Sequence, residues 1–311
     1  MSSATLVTGA AGFAGGHLID LLVGAGDRVT AWHRPGGSPP RDGSGARWEA
    51  VDLLDPAQVL DAMDRTRPSA VYHCAGAAHV GRAWDSTEPT FAINVRGTHH
   101  VLQALERCGM DARVLVPSSA LVYASADEAL TEDHRLAPDS PYGLSKLAQE
   151  MLGVRTTGRI AVTIARAFNH FGPRQDPHFV ASGFARRIAD IEKGRWAPEI
   201  SVGNLDARRD LTDVRDTVRA YRLILECGQP GRAYNVCSGR ALSMRELLDR
   251  LIARARVPVS VKPDPARYRP NDTPLLLGDP RRLREELEWA PEIPLEQTLD
   301  DLLEYWRHKT P

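Results

Sequence analysis

Cysteine is scarce and scattered in this 311-residue chain: Cys74, Cys108, Cys227 and Cys237 form no CxxC pair and no dense framework. That pattern excludes a disulfide-stapled scaffold and points to reduced, buried thiols in a cytosolic protein, with no metal site expected. An excess of charge of either sign is also lacking, since 39 Lys and Arg against 40 Asp and Glu leave a net charge of −1. Such a balance gives no footprint for nucleic acid or an anionic membrane. No apolar run is long enough for a spanning helix. The first residues, MSSATLVTGAAGFAGG, lack a basic segment followed by an apolar stretch, so no secretory signal is expected. There is no internal repeat. What is present, 42% hydrophobic and 25% charged residues, is ordinary for a soluble globular chain long enough for one α/β unit and a smaller lobe.

The first half alternates β-rich runs with helical patterns. Strands are predicted at Thr5 to Thr8, Arg28 to Trp32, Arg47 to Val51, Ala70 to Ala75, Arg113 to Pro117 and Ala161 to Ala165. Helices are predicted from about Gly12 to Val23, after Asp55-Pro56, from about Pro89 to Cys108 and from about Pro141 to Val154. This alternation implies a Rossmann-type, doubly wound parallel sheet. After Arg166 the texture breaks up. A helix is predicted over His178 to Lys193 and stopped by Gly194, a strand over Ile200 to Val202, a helix after Asp213, and a strand over Ala233 to Val236. Ser243-Met-Arg-Glu246 is a capping box opening a further helix, and the proline-rich run from Pro263 to Pro274 reads as a surface loop. The division expected is a dinucleotide-binding domain of 1–168 plus about 205–242, and a smaller, discontinuous α/β lobe of about 169–204 plus 243–311.

Thr8-Gly9-Ala10-Ala11-Gly12-Phe13-Ala14-Gly15 lies between the first strand and the first helix. In that place a glycine-rich turn lets a pyrophosphate approach backbone N–H groups at the positive end of a helix, which marks Gly9, Gly12, Phe13, Ala14 and Gly15 as dinucleotide-binding. The second strand ends Ala31-Trp32-His33-Arg34 with no carboxylate for a ribose 2′-hydroxyl. Arg34 could instead neutralise a 2′-phosphate, which favours NADP(H) over NAD(H). Asp52 and Leu53 are placed for the adenine edge, and Ala75, Gly76 and Ala77 for a small-residue floor beside the cofactor. Tyr142-Gly-Leu-Ser-Lys146 puts an ammonium and a phenol four residues apart on one helix face. The cation is expected to lower the Tyr142 pKa toward working pH, as a general acid/base needs. Ser119, 23 residues earlier at the end of the fifth strand, is placed to bond the same substrate oxygen.

The set Gly9/Gly12/Gly15, Asp52-Leu53, Asn94-Val95-Arg96-Gly97-Thr98, Ser119, Tyr142 and Lys146 resembles the extended short-chain dehydrogenase/reductase superfamily. Four later strings make the second half resemble the GDP-4-keto-6-deoxy-D-mannose reductases within it. These are Phe168-Asn-His-Phe-Gly-Pro-Arg174, the run from Val202 to Arg215, Tyr234-Asn-Val-Cys-Ser-Gly239 and Glu292-Ile-Pro-Leu-Glu296. The resemblance adds Asn94, Tyr142 and Lys146 to the cofactor residues, Lys146 toward the nicotinamide ribose hydroxyls, and assigns Asn169, the loop from Val180 to Arg187, Arg209 and Arg269 to the nucleotide sugar. It also separates the chain from two neighbours. Leu121 stands where the 4,6-dehydratases carry a glutamate, and Ala120 and Arg174 stand where the epimerase/reductases carry a cysteine and a histidine. His79 and Arg82 stay outside the catalytic set. The implied activity is NADPH-dependent reduction of a GDP-linked 4-keto-6-deoxyhexose, with NADH possible, by a cytoplasmic homodimer. A 4-epimerase that retains NAD and a non-catalytic NADP(H)-sensing protein are the alternatives.

Overall fold

The computed structural model describes residues 4–37, 45–156, 158–268 and 273–309. In chain order these form β1 (Ala4–Thr8), α1 (Phe13–Gly24), β2 (Arg28–His33), β3 (Arg47–Ala50), α2 (Pro56–Thr66), β4 (Ala70–His73), α3 (Val80–Asp85) and α4 (Thr87–Phe91). A π-helical turn, Ala92–Arg96, leads into α5 (Gly97–Arg107), β5 (Ala112–Ser119), α6 (Pro141–Arg155) and β6 (Ile160–Ala167). Then come β7 (Asn169–Phe171), α7 (Val180–Glu192), β8 (Glu199–Val202), β9 (Arg208–Asp213), α8 (Val214–Cys227), β10 (Ala233–Val236) and β11 (Ala241–Ser243). The chain closes with α9 (Met244–Ile252), β12 (Ser260–Pro263), β13 (Leu275–Leu276), α10 (Arg281–Leu287) and α11 (Leu295–Lys309).

Seven strands make one parallel sheet in the order β10-β6-β5-β4-β1-β2-β3. It is buried on both faces, which is why its strands read as near-continuous apolar runs. Val7, Leu115 and Tyr72 pack with α1 and α8 on one side, and Leu6, Val71, Val114 and Val162 pack with α2 and α5 on the other. Local chemistry starts the helices where expected. Asp55 caps α2 ahead of Pro56 by accepting from the Ala57 and Gln58 N–H groups, and the Ser243–Glu246 capping box opens α9. The strand order reverses between β1 and β4, so their carboxyl ends flank the crevice where such sheets bind ligands.

The rest of the chain forms a small sheet of β7, β9, β11 and β13, the pair β8–β12, and a core shared by α7, α9 and α11. Three expectations need correcting. The segment 205–242 is divided, because β9 pairs with β7 in the small sheet whereas α8 and β10 join the large one. Leu283 and Trp289, expected in the small lobe, are buried in the core of α1 and α8. The helix predicted over Pro89 to Cys108 is interrupted by the π turn, which no periodicity signalled.

Candidate active site

Ser119 ends β5 in extended conformation, and its hydroxyl accepts from the Leu121 N–H at 3.2 Å, starting a single 3₁₀ turn over Ala120–Val122. Ser140 caps α6 by accepting from the Gly143 N–H at 3.1 Å, with Pro141 at the first helical position, so Tyr142 lies in the first turn. A Cβ on Gly143 would lie 2.3 Å from the Leu121 carbonyl oxygen. Glycine therefore lets the first turn of α6 lie against the turn that follows Ser119, which brings the Tyr142 and Ser119 hydroxyls beside one another.

Burial pushes the Tyr142 pKa up to about 12, against the opposing pull of the Ser119 hydrogen bond. This corrects the expectation that Lys146 would lower it. Loss of water disfavours phenolate more strongly than the neighbours favour it, and the Lys146 ammonium donates to Gln149 Oε1. Lys146 is itself buried, and desolvation brings its pKa down to about 8 although Glu150 and Cys74 favour the charged form. The site thus holds a phenol that stays protonated at neutral pH beside an amine close to its titration point.

The cofactor expectations can be tested against the turn after β1. Gly9 has φ +64°, and a Cβ there would lie 2.6 Å from the Ala75 backbone, while one on Gly15 would lie 2.4 Å from Gly9 O. Gly12 caps α1 without any side chain, and no acidic residue sits in the first turn. The uncapped N–H groups, the positive helix end and a cradle that a Cβ would fill all suit a dinucleotide pyrophosphate. Phe13 stacks on His170 from the other side of the crevice, at 5.8 Å. Leu53 is buried, and Asp52 uses one carboxylate oxygen to accept from Leu54 N–H at 2.9 Å. Arg34 is exposed immediately after β2.

Asn94, in the π turn, braces the floor: its Oδ1 accepts from Ala77 N–H at 2.8 Å and its Nδ2 donates to Ser145 Oγ at 2.9 Å. A Cβ on Gly76 would strike that Asn94 oxygen at 2.9 Å. Rare π turns concentrate at functional sites because they re-aim side chains. Here the turn points Asn94 between the Ala75–Ala77 loop and α6.

Of the residues assigned to the sugar nucleotide, Asn169 is exposed on β7 and aligned with Leu211 of β9, so Arg209, two residues back on β9, shares its face. The Arg209 guanidinium donates to the Thr273 carbonyl at 2.7 Å. Val180 is exposed at the start of α7, and Arg187 lies over the Trp196 ring at 3.9 Å. Arg269 lies outside the described residues. His79 caps α3 and rests against Phe179, 5.5 Å between ring centres.

Several participants went unread in the sequence. Arg166 and Glu150 form an ion pair with side chains 7% and 5% exposed, and Arg166 also donates to Tyr123 Oη at 2.9 Å. Arg174, at φ +74°, pairs with Asp20 at 2.6 Å and ties the loop after β7 to α1. Glu150 could have been found from its helical spacing to Lys146, but the partners across the sheet left no local signal. Among the described residues no group of three or more His, Cys, Asp or Glu is placed to hold a metal, and no helix is long and apolar enough to cross a membrane.

A parallel sheet with a glycine turn at its switch point, and a Ser–Tyr pair with a buried lysine one helical turn on, define a Rossmann-fold protein of the extended short-chain dehydrogenase/reductase type. Comparison with known proteins narrows this class. The family described as GDP-mannose 4,6 dehydratase matches residues 6–302. GDP-6-deoxy-D-mannose reductase of Pseudomonas aeruginosa is 36% identical over 314 residues, covering 99% of each chain. The solved structure of RMD from Pseudomonas aeruginosa with NADPH superposes with a TM-score of 0.87 at 33% identity, covering 99% of this chain and 100% of that one. UDP-glucose 4-epimerase of Thermus thermophilus with NAD also reaches 0.87, at 28% identity over 97% of this chain and 98% of that one. The chain belongs to the GDP-mannose 4,6-dehydratase family.

Proposed function

We propose that this protein reduces the C4 ketone of GDP-4-keto-6-deoxy-D-mannose to a GDP-6-deoxyhexose, GDP-D-rhamnose being the expected product, with NADPH as reductant and NADH able to serve. One observation carries this reading. Ser119 at the end of β5 lies beside Tyr142 in the first turn of α6, with the buried Lys146 one turn on, while the place of a dehydratase glutamate holds Leu121, a half-buried apolar side chain packed beside Ala120 and Phe168. Leucine cannot move a proton, so elimination lacks its base whereas ketone reduction lacks nothing. The full-length likeness to a GDP-6-deoxy-D-mannose reductase supports the same substrate, and the NADPH-bound neighbour the same cofactor.

Gly9, Gly12, Phe13, Ala14 and Gly15 would hold the pyrophosphate, Arg34 the 2′-phosphate, Asp52 and Leu53 the adenine edge, and Ala75–Ala77 with Asn94 the floor of the site. When bound, NADPH supplies the hydride that adds to C4. Ser119 hydrogen-bonds the ketone oxygen and holds the carbon in one orientation. Tyr142 gives its phenolic proton to that oxygen as negative charge develops, so the C=O group becomes CH–OH and Tyr142 is left as phenolate. The Lys146 ammonium lowers the cost of that phenolate and would bind the nicotinamide ribose hydroxyls. Asn169, Val180, Arg187, Arg209 and Arg269 are assigned to the GDP moiety, since a diphosphate calls for converging guanidinium groups. The large sheet then serves as the cofactor lobe, and the small sheets with α7, α9 and α11 as the nucleotide-sugar lobe.

We further place the protein in the cytoplasm as a homodimer joined through α5 and α6. Leu144, Met151 and Val154 are exposed along one face of α6, with Trp84 exposed on the neighbouring α3. Met151→Glu should convert a dimer into monomers by light scattering; monomers in the unaltered protein would refute the interface. For the activity, the test is incubation with enzymatically made GDP-4-keto-6-deoxymannose and NADPH or NADH, with the product identified by NMR. Cofactor consumption with a new C4 proton supports the reduction. Purified protein that retains NAD and consumes none would make it a 4-epimerase, and tight cofactor binding without turnover a sensor.

A further inference from the structure

We propose that Gln149 is a positioning residue for Lys146, its side-chain oxygen locked toward the ammonium by a directed chain of buried hydrogen bonds through Thr98, His73 and Thr8. This rests on the assignment of Lys146 to the catalytic set. Gln149, Thr98 and Thr8 are wholly buried and His73 is 1% exposed, so their polar atoms must find partners within the protein. The direction of each bond follows from a single fixed point. Thr98 Oγ1 donates its only proton to the Asn94 carbonyl at 2.6 Å. Its lone pairs are therefore left to accept, from Gln149 Nε2 at 2.9 Å and from His73 Nε2 at 2.9 Å. His73 accordingly carries its proton on Nε2, which leaves Nδ1 to accept from the Thr8 hydroxyl at 2.9 Å. Thr8 Oγ1 in turn accepts from the Ala75 N–H at 3.3 Å.

With its nitrogen held on Thr98, the Gln149 amide turns its oxygen to Lys146 Nζ. A flipped amide would set N–H groups against the ammonium and leave its carbonyl facing a hydroxyl whose proton is already used. Burial and the nearby Lys146 charge bring the His73 pKa down to about 3, so His73 stays neutral and the chain keeps its direction throughout the neutral range. One Lys146 proton is thereby fixed on Gln149, which aims the other two. The chain runs from the π turn, at Asn94 O, to the loop after β4, at Ala75 N, and so ties the aim of the ammonium to the floor beside the glycine turn.

The other groups that face Lys146 are Glu150 on its own helix, His73 at the end of β4 and Cys74 just after it. Arg166 of β6 is paired with Glu150, and Tyr221 of α8 lies behind Cys74 and Tyr142. Gln149 differs from these in being neutral at every pH, so it fixes direction without adding a charge.

The chain has four lysines, and Lys193, Lys262 and Lys309 are exposed, so ¹³Cε-lysine NMR isolates Lys146, with Lys146→Arg as the assignment control. In full-length Gln149→Met, which keeps the volume but loses the acceptor, the Lys146 titration should fall by about one pH unit, as expected for losing a hydrogen bond to a charged group. Gln149→Glu should raise it above the unaltered value, and Thr98→Val should lower it by less than Gln149→Met does. Circular dichroism checks that each variant is folded. A folded Gln149→Met whose Lys146 titrates at the unaltered midpoint overturns the proposal. Should Gln149→Met not fold, an unchanged midpoint in Gln149→Glu overturns it equally. No turnover enters the measurement, so this outcome is separate from that of the keto-sugar assay.

Discussion

Glu150→Gln should be among the more damaging single changes in the molecule, although Glu150 touches neither substrate nor cofactor in the proposed reaction. Arg166 Nε lies 3.1 and 3.2 Å from the two Glu150 carboxylate oxygens, and its Nη2 lies 2.9 Å from one of them. Both side chains are almost inaccessible, at 7% and 5%, so solvent screening does little. Glutamine keeps one oxygen acceptor but removes the carboxylate bonded to the guanidinium, leaving only the more distant Glu132. Breaking such a pair from one side costs roughly 3–5 kcal/mol, and the retained oxygen puts this case near 3. At about 2 °C per kcal/mol for a large domain, the melting temperature should fall by about 6 °C. The assay is a thermal melt of Glu150→Gln beside Arg166→Met and the double variant Glu150→Met/Arg166→Met. Removing both charges should recover much of the loss, because an apolar pair of similar volume avoids the desolvation cost. A Glu150→Gln variant as stable as the unaltered protein, or a double variant no better than the singles, would refute the claim that an uncompensated buried charge is the cause. A second consequence is local. Glu150 favours the charged form of Lys146, so its loss should also move the Lys146 titration downward.

Tyr142→Phe should abolish turnover while NADPH binding, followed by fluorescence titration, stays nearly intact; near-normal turnover would remove Tyr142 from its role. Activity should decline as pH rises through about 8, where Lys146 loses its charge, while Tyr142, at about 12, remains a proton donor; a pH profile of kcat/KM that stays flat to pH 10 would contradict this. Stability should move the other way. The folded-state value for Lys146 lies below its ordinary 10.5, so the unfolded chain binds more protons between about 8 and 10.5, and the penalty for burying the ammonium is full below 8 and fades as pH rises. Gly9→Ala should lose cofactor binding or fail to fold, because φ +64° and a 2.6 Å approach to the Ala75 backbone leave no room for a methyl group; unchanged NADPH affinity in that variant would refute the tight-turn argument.

The large sheet was legible because both signals it depends on are local. Runs such as Thr5 to Thr8 and Arg113 to Pro117 declare buried parallel strands, and Asp55-Pro56 and Pro141 declare where helices begin. The glycine turn and Tyr142 with Lys146 were legible for the same reason, since each lies within one turn or one helical stretch. Strands of two to four residues, among them β7, β11 and β13, are too short to show a period, and β9 became part of the small sheet only through partners elsewhere in the chain. The π turn at Asn94 was invisible because inserting one residue into a helix leaves the composition of the segment unchanged.

The electrostatics of the site show the deeper limit. Four-residue spacing correctly put Lys146 on the face of α6 that carries Tyr142, and from proximity alone a lowered tyrosine pKa followed. Proximity is one of three influences on a pKa, and burial, which depends on the whole fold, outweighs it here. The consequence bears on the chemistry. A tyrosine poised near neutrality would serve equally as acid or base, as a reversible epimerase requires. Burial favours the protonated form of Tyr142 in the free protein, and ketone reduction begins from that form. Gly143 lets the first turn of α6 lie against the Ser119 turn, and desolvation raises Tyr142 and brings Lys146 toward 8. Burial thus favours the protonated Tyr142 that the proposed reduction starts from, but disfavours the Lys146 ammonium it uses, which is why activity is expected to fall above about pH 8.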